Sequence, residues 1–78
     1  MVKTNDQKRT RLRESVALLN KAQNIVESVK YEEQDSLENF PENLQNSEKF
    51  AIIENNIDVL EEAEDDIGRI SESISEIL

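Results

Sequence analysis

Residues 39–43, Asn-Phe-Pro-Glu-Asn, interrupt a chain whose apolar residues otherwise repeat at helical spacing. Pro41 has no backbone N–H to donate and disfavours helical geometry at Phe40, so a helix cannot run smoothly through this stretch. On either side, apolar residues recur three and four positions apart, which is the spacing of one helix face. We therefore predict a single domain over residues 1–78, with helices over about residues 4–36 and 47–77 and a loop over residues 37–46.

The ends of both predicted helices carry recognisable signals. The stretch Thr4-Asn5-Asp6-Gln7 fits a capping box, in which two side chains satisfy each other's free backbone N–H groups. Asn46 or Ser47 is the expected cap of the second helix. Within the loop, Phe40 and Leu44 are expected to plug the closed end of an antiparallel hairpin.

Each predicted helix carries two neighbouring apolar seams rather than one. A narrow seam suits a two-helix contact, whereas a double seam suits a four-helix bundle. We therefore predict an all-α antiparallel two-helix hairpin that forms a homodimer, a four-helix bundle; the alternative is that the wide face binds a different protein. The expected association core is Leu19, Val26, Leu60, Ile67 and Ile74. Gly68, inside the second helix, indicates a close helix–helix approach, with a hinge as the alternative.

Charge is distributed unevenly along the chain. Residues 1–30 hold seven bases and three acids, or +4, whereas residues 31–78 hold two bases and fifteen acids, or −13, which together give the net −9. A hairpin is expected to place the N-terminal bases beside C-terminal acids, with Leu12 opposite about residue 72. The bases are Lys8, Arg9, Arg11 and Arg13, and the acids are Asp65, Asp66, Glu72 and Glu76. A phosphate-binding patch is the alternative use of these bases, disfavoured because no aromatics are interleaved.

Composition excludes several classes of function. The chain has no cysteine and no histidine, so it offers no disulfide, no thiolate metal site and no histidine base. Ser71, Ser73 and Ser75 have no base to activate them, and no phosphate-binding glycine loop is present. No enzyme activity, cofactor or metal is expected. The chain has neither an apolar run that could span a membrane nor a signal peptide, so a cytoplasmic location is expected.

The acids of the second predicted helix permit two interpretations. An acidic face of Asp58, Glu61, Glu62, Asp65 and Asp66 is the candidate partner-binding site. Its charges follow one another at a spacing comparable with DNA phosphates, so the face could imitate nucleic acid and bind a basic nucleic-acid-binding protein. The alternative is a solvated face that keeps the protein soluble. Direct binding of nucleic acid or of a membrane is disfavoured by the negative charge.

From Tyr31 onward the chain resembles a group of small acidic helical-hairpin hypothetical proteins of Gram-positive bacteria, their phages and conjugative elements. The resemblance lies in Tyr31–Ser36, in the loop Asn39–Glu48, and in Ile57, Leu60 and Glu61-Glu62-Ala63. It implies a phage or mobile-element setting, where small acidic proteins often inhibit host nucleic-acid-binding machinery. The expected function is therefore a non-enzymatic protein-binding module, acting as an acidic inhibitor of a host nucleic-acid-binding or defence protein. The alternative is a structural assembly module that associates only with itself or a neighbouring protein.

Overall fold

The computed structural model describes residues 5–78, which form an all-α helical hairpin. Helix α1 covers Asp6–Glu38 and helix α2 covers Glu48–Ser75, with one turn of 3-10 helix at Glu42–Leu44 between them. The Cα positions span 59 × 18 × 13 Å, so the two helices lie side by side along their length. Relative to the predicted bounds, α1 extends two residues further, to Glu38, and α2 begins and ends slightly inside its predicted range.

Capping side chains begin both helices. The predicted cap Thr4 lies outside the described residues; the carboxamide oxygen of Asn5 accepts a hydrogen bond from the Lys8 backbone N–H at 2.9 Å, which caps α1. Asp6 follows in the first turn and forms an ion pair with Arg9. At α2 the Ser47 hydroxyl accepts from the Phe50 backbone N–H at 3.2 Å, so Ser47 rather than Asn46 is the cap.

The loop closes through an aromatic pair. The backbone and side-chain N–H groups of Asn39 donate to the Asp35 carbonyl and end α1, after which Pro41 leads into the 3-10 turn. The rings of Phe40 and Phe50 lie 5.3 Å apart at 69°, an edge-to-face contact that seals the closed end. The prediction that Phe40 plugs this end is thus confirmed, whereas Leu44 is 46% exposed and contributes little.

The two helices meet along one continuous seam, which we call the inner seam. Its residues alternate at steps of three and four, the heptad pattern, and all are half-buried except Ser71, which is 7% exposed. On α1 and just beyond it, the inner seam consists of Arg9, Leu12, Val16, Leu19, Gln23, Val26, Lys30, Glu33, Leu37 and Phe40. On α2 and just beyond it, the inner seam consists of Phe50, Ile53, Ile57, Leu60, Glu64, Ile67, Ser71, Ile74 and Leu78.

The alignment of the helices differs from the prediction. Ser71 donates a hydrogen bond to Asn20 across the hairpin, and Phe40 faces Phe50. Continuing from the first of these contacts places Val16 opposite Ser75, so the first turns of α1 extend past the end of α2 by about 15 Å. The predicted alignment of Leu12 with residue 72 is therefore wrong, because the turn is centred near residue 45 rather than at Pro41.

The N-terminal bases consequently do not pair as predicted. Among the residues described, ion pairs join Arg9 to Asp6, Arg69 to Asp66, and Lys30 to Glu64, so none links the basic start of α1 to the end of α2. Two of these pairs lie within a single helix turn. Exposed pairs of this kind contribute little to stability, about 0.3–0.5 kcal/mol each.

Across residues 5–78 no apolar side chain is fully buried. Two helices can cover only one side of each other, so seam residues such as Leu19 and Ile67 stay half-buried. The hairpin therefore lacks the closed core that normally stabilises a small domain.

Candidate protein-binding surfaces

The two long sides of the hairpin differ in the side chains they expose. The position of a residue relative to the inner seam determines on which side it lies. A residue that directly precedes a seam residue lies on one side of its helix, and a residue that follows lies on the other. Antiparallel pairing brings the preceding residues of both helices to the same side of the hairpin. A shallow groove lined by Val29, Asn56, Val59 and Leu60 confirms this placement, because it joins preceding residues of both helices.

We call the side formed by the preceding residues the apolar side. Leu18, Ile25 and Val29 lie there on α1, and their exposed fractions are 62%, 55% and 40%. The smaller Ala22 continues the row between them. On α2 the row contains Ile52, Val59, Ala63 and Ile70, of which the three larger residues are each more than half exposed. So many large apolar side chains open to solvent in one face mark a surface suited to binding another protein.

We call the opposite side, formed by the residues that follow the seam, the acidic side. On α2 this row contains Glu54, Asp58, Glu61, Asp65 and Glu72, all of them exposed. Steps of three and four, and seven past Gly68, keep these carboxylates in line along the helix. The acidic side therefore presents a stripe of negative charge on the face turned away from the apolar side.

The five acids predicted to form a partner-binding face do not all lie together. Asp58, Glu61 and Asp65 belong to the acidic side, and Glu62 lies beside them on the outermost face of α2. Asp66 precedes Ile67 and so lies on the apolar side, where it pairs with Arg69. Four of the five predicted acids therefore lie near one another on α2, and Asp66 lies apart from them. Each residue is rotated by about 100° from the one before it, so Asp66 faces a different side from Asp65.

The residues predicted to form the association core contribute to the contact between α1 and α2 of one chain. Leu19 and Val26 of α1 and Leu60, Ile67 and Ile74 of α2 are all half-buried members of the inner seam. The apolar surface left for a second molecule is the apolar side, which none of these five residues provides. The heptad pattern that identified these five residues also describes the contact between α1 and α2, and their assignment to association stays a prediction.

Polar side chains interrupt the middle of the inner seam and satisfy one another. Lys30 Nζ lies 2.8 Å from Glu64 Oε2, with side-chain exposures of only 12% and 14%. Gln23 Nε2 donates to the Glu64 backbone carbonyl at 3.1 Å, and Ser71 Oγ donates to Asn20 Oδ1 at 3.0 Å. A half-buried pair of this kind discriminates between alignments, because any shift of one helix leaves a charge without its partner.

The pKa values of the three titratable groups in this cluster are shifted in different directions. A hydrogen bond to Glu64 is the main cause that raises the pKa of the Glu27 carboxyl, and the negative charge of Glu64 adds to it. Hydrogen bonds from Lys30 and Glu27 lower the pKa of Glu64. The hydrogen bond to Glu64 raises the pKa of Lys30. Glu64 is the residue that Lys30 and Gln23 both contact in this cluster.

Sequence reasoning missed this cluster, although the signal was present. The apolar spacing of α2 is interrupted at Glu64 and Ser71, and that of α1 at Gln23 and Lys30. The heptad alternation continues through all four positions, which indicates polar residues inside a seam rather than the end of one. Opposite charges at Lys30 and Glu64 could have identified the pairing.

The predicted close approach at Gly68 is present. A Cβ placed on Gly68 would lie 2.8 Å from the Gln23 amide nitrogen and 3.7 Å from its Cδ. The absence of a side chain therefore leaves room for the Gln23 amide to reach the Glu64 carbonyl.

Comparison with known protein families, characterised proteins and solved structures gives no match to this chain. The resemblance of the loop and the acidic helix accordingly stays a prediction. Residues 5–78 bring together no group of three side chains suited to hold a metal ion. Neither helix, over the part of the chain described, has an apolar stretch that could cross a bilayer.

Proposed function

We propose that the protein is a non-enzymatic protein-binding module of the cytoplasm, in which two hairpins pair through their apolar sides into a four-helix bundle. The observation that carries this proposal is the separation of the two sides: exposed Leu18, Ile25 and Val59 on one, and a stripe of carboxylates on the other. Pairing of the apolar sides supplies the closed core that a single hairpin lacks. The acidic sides then face outward, away from the dimer contact.

The outward acidic side is the proposed binding site for a basic protein. Asp58, Glu61 and Asp65 are exposed and aligned, and they take no part in the inner seam. A row of carboxylates attracts the basic groove of a nucleic-acid-binding protein, chiefly by speeding the encounter. In the phage or mobile-element setting that the loop resemblance implies, such binding would inhibit a host nucleic-acid-binding or defence protein.

The test of the acidic site is a matched pair of triple variants. The first changes Asp58→Asn, Glu61→Gln and Asp65→Asn, and the control changes three exposed acids outside the acidic stripe and the loop end, Asp6→Asn, Glu14→Gln and Glu76→Gln. Both variants remove three negative charges. Immobilised protein is incubated with lysate of a Gram-positive bacterium at low and high salt, and captured proteins are identified by mass spectrometry.

If the acidic side imitates nucleic acid, the control variant should capture a basic partner and the first variant should not. Duplex DNA should displace that partner from the immobilised protein. Capture should fall steeply as salt increases. Equal capture by both variants, unaffected by salt or DNA, would instead support the structural assembly module. The observation that favours that second function is the apolar side itself, which needs no partner beyond a neighbouring chain.

A further inference from the structure

The outward row of α1 carries opposite charges at its two ends. Following the residues that precede the inner seam, the row begins with the bases Lys8 and Arg11 and ends with the acid Glu32. Between them lie Ser15 and then four apolar residues at steps of four, three and four: Leu18, Ala22, Ile25 and Val29. Arg11 and Glu32 are both exposed. The row therefore has the pattern of a second heptad seam that has no partner within its own chain.

The charges of this row are complementary to those of a second copy of the row that runs in the opposite direction. Arg11 stands eleven residues before Ala22 and Glu32 stands ten residues after it. A two-fold axis that crosses α1 near Ala22 therefore places Arg11 of one copy within one residue of Glu32 of the other. The same axis places Leu18 beside Ile25 of the second copy, so apolar residues meet apolar residues along the middle.

We infer that the occupant of the apolar side is a second copy of this chain, oriented so that α1 packs antiparallel against α1 of the second copy. This inference rests on the proposed self-association and adds its surface and direction. The two loops then lie at opposite ends of the bundle. Each basic start of α1 faces the acidic loop end of the other copy, which carries Glu32, Asp35, Glu38, Glu42 and Glu48.

The opposite orientation is disfavoured by the same charges. If the two hairpins ran in the same direction, α1 would face α2 of the second copy and the two acidic loop ends would lie side by side. Like charges placed together at an interface weaken association. A hairpin 59 Å long and 18 Å wide has dimensions compatible with the area of about 800 Å² per partner that stable interfaces bury.

Exchange of charges between Arg11 and Glu32 tests the orientation. Within one chain these residues are separated by about 32 Å of helix, so any coupling between them must act between copies. Arg11→Glu alone and Glu32→Arg alone each place like charges at both ends of the contact, and each should weaken the dimer by about tenfold. Arg13→Glu, an exposed position on the acidic side, is the matched control and should leave dimerisation unchanged.

The decisive sample is a mixture of the two single variants. In the antiparallel dimer, a chain carrying R11E paired with a chain carrying E32R has opposite charges at both contacts. Native mass spectrometry should therefore show the mixed dimer in excess of both homodimers, and the double variant R11E/E32R should dimerise like the unaltered chain. Circular dichroism of each variant confirms that the helices persist.

Two results would overturn the inference in different ways. A mixed dimer present only at the statistical proportion, with the double variant as weak as the single ones, would refute the antiparallel orientation while leaving self-association intact. An unaltered chain that is monomeric throughout the micromolar range would refute self-association itself.

Discussion

Substitution of Gly68 by alanine tests the contact between helices at one atom. Alanine is favoured over glycine inside a helix by about 1 kcal/mol. The new methyl group, however, would lie 2.8 Å from the Gln23 amide nitrogen, closer than such contacts allow. Gln23 must then move, which breaks its 3.1 Å hydrogen bond to the Glu64 carbonyl. That loss costs about 1 kcal/mol, so the helix gain and the lost contact nearly cancel.

A double-mutant cycle with Gln23→Ala measures the coupling free energy between Gly68 and Gln23. In that background the obstructing amide is already absent, so Gly68→Ala should stabilise the protein by about 1 kcal/mol. In the unaltered background the same change should stabilise it by less than about 0.5 kcal/mol, which gives a coupling of roughly 0.5–1 kcal/mol. The assay is urea unfolding followed by circular dichroism at a fixed protein concentration, because dimerisation makes stability depend on concentration.

Equal stabilisation by Gly68→Ala in both backgrounds would refute the reasoning. It would mean that the Gln23 amide moves aside at no measurable cost, so that its hydrogen bond to the Glu64 carbonyl does not stabilise the hairpin. A control substitution, Ser73→Ala on the exposed face of α2, should show no coupling to Gln23 at all.

Two further substitution pairs follow from the same geometry. Glu27→Gln should raise the melting temperature at pH 7. The pKa of Glu27 is raised, so its contribution to stability is present below about pH 4.5 and is lost as pH rises. The gain from the substitution should therefore vanish in acid. Glu64→Gln should lower the melting temperature above that pH, because Lys30 loses its partner and the contribution of a lowered pKa is lost only as pH falls. Thermal melts across pH check both signs, and a Glu27→Gln protein that melts lower at pH 7 would contradict them. Ile67→Asp should unfold the hairpin at a cost of several kcal/mol, whereas Ile70→Asp, three residues along on the apolar side, should abolish dimerisation and leave a less stable helical monomer. Circular dichroism and sedimentation of the two proteins distinguish these outcomes, and identical behaviour would contradict the separation of seam from apolar side.

The hairpin could be predicted from sequence because its determinants are local. Pro41 disfavours helical geometry at the residue before it, and the Ser47 side chain caps the helix that follows it. Heptad spacing likewise places Leu19 and Ile67 on an apolar face of their helices without knowledge of the partner helix. Such features depend on a few neighbouring residues and survive any arrangement of the rest.

The alignment of the helices could not be predicted in the same way. It depends on how many residues the turn consumes, and the Phe40–Phe50 contact sets this number through two residues ten positions apart. An error of a few residues was enough to predict pairing of Arg13 with acids that the structure places elsewhere. The same error hid the polar cluster, because Lys30 and Glu64 become partners only in the correct alignment.

Two apolar seams per helix were predicted, but their roles could not be separated from sequence. Spacing alone does not say whether Leu18 or Leu19 faces the other helix of the same chain. The structure separates them, because Leu19 is half-buried while Leu18 is 62% exposed. The outward row is therefore the one available to another molecule.

Sedimentation equilibrium of the unaltered chain across the micromolar range tests the central claim most directly. The account predicts a reversible monomer–dimer equilibrium in which the dimer predominates at the higher concentrations and persists in high salt, since apolar contacts at Leu18, Ile25 and Val29 supply most of its stability. The melting temperature should fall as the dimer dissociates, because the single hairpin has no closed core. A fully helical protein that sediments as a monomer at every concentration would contradict the account.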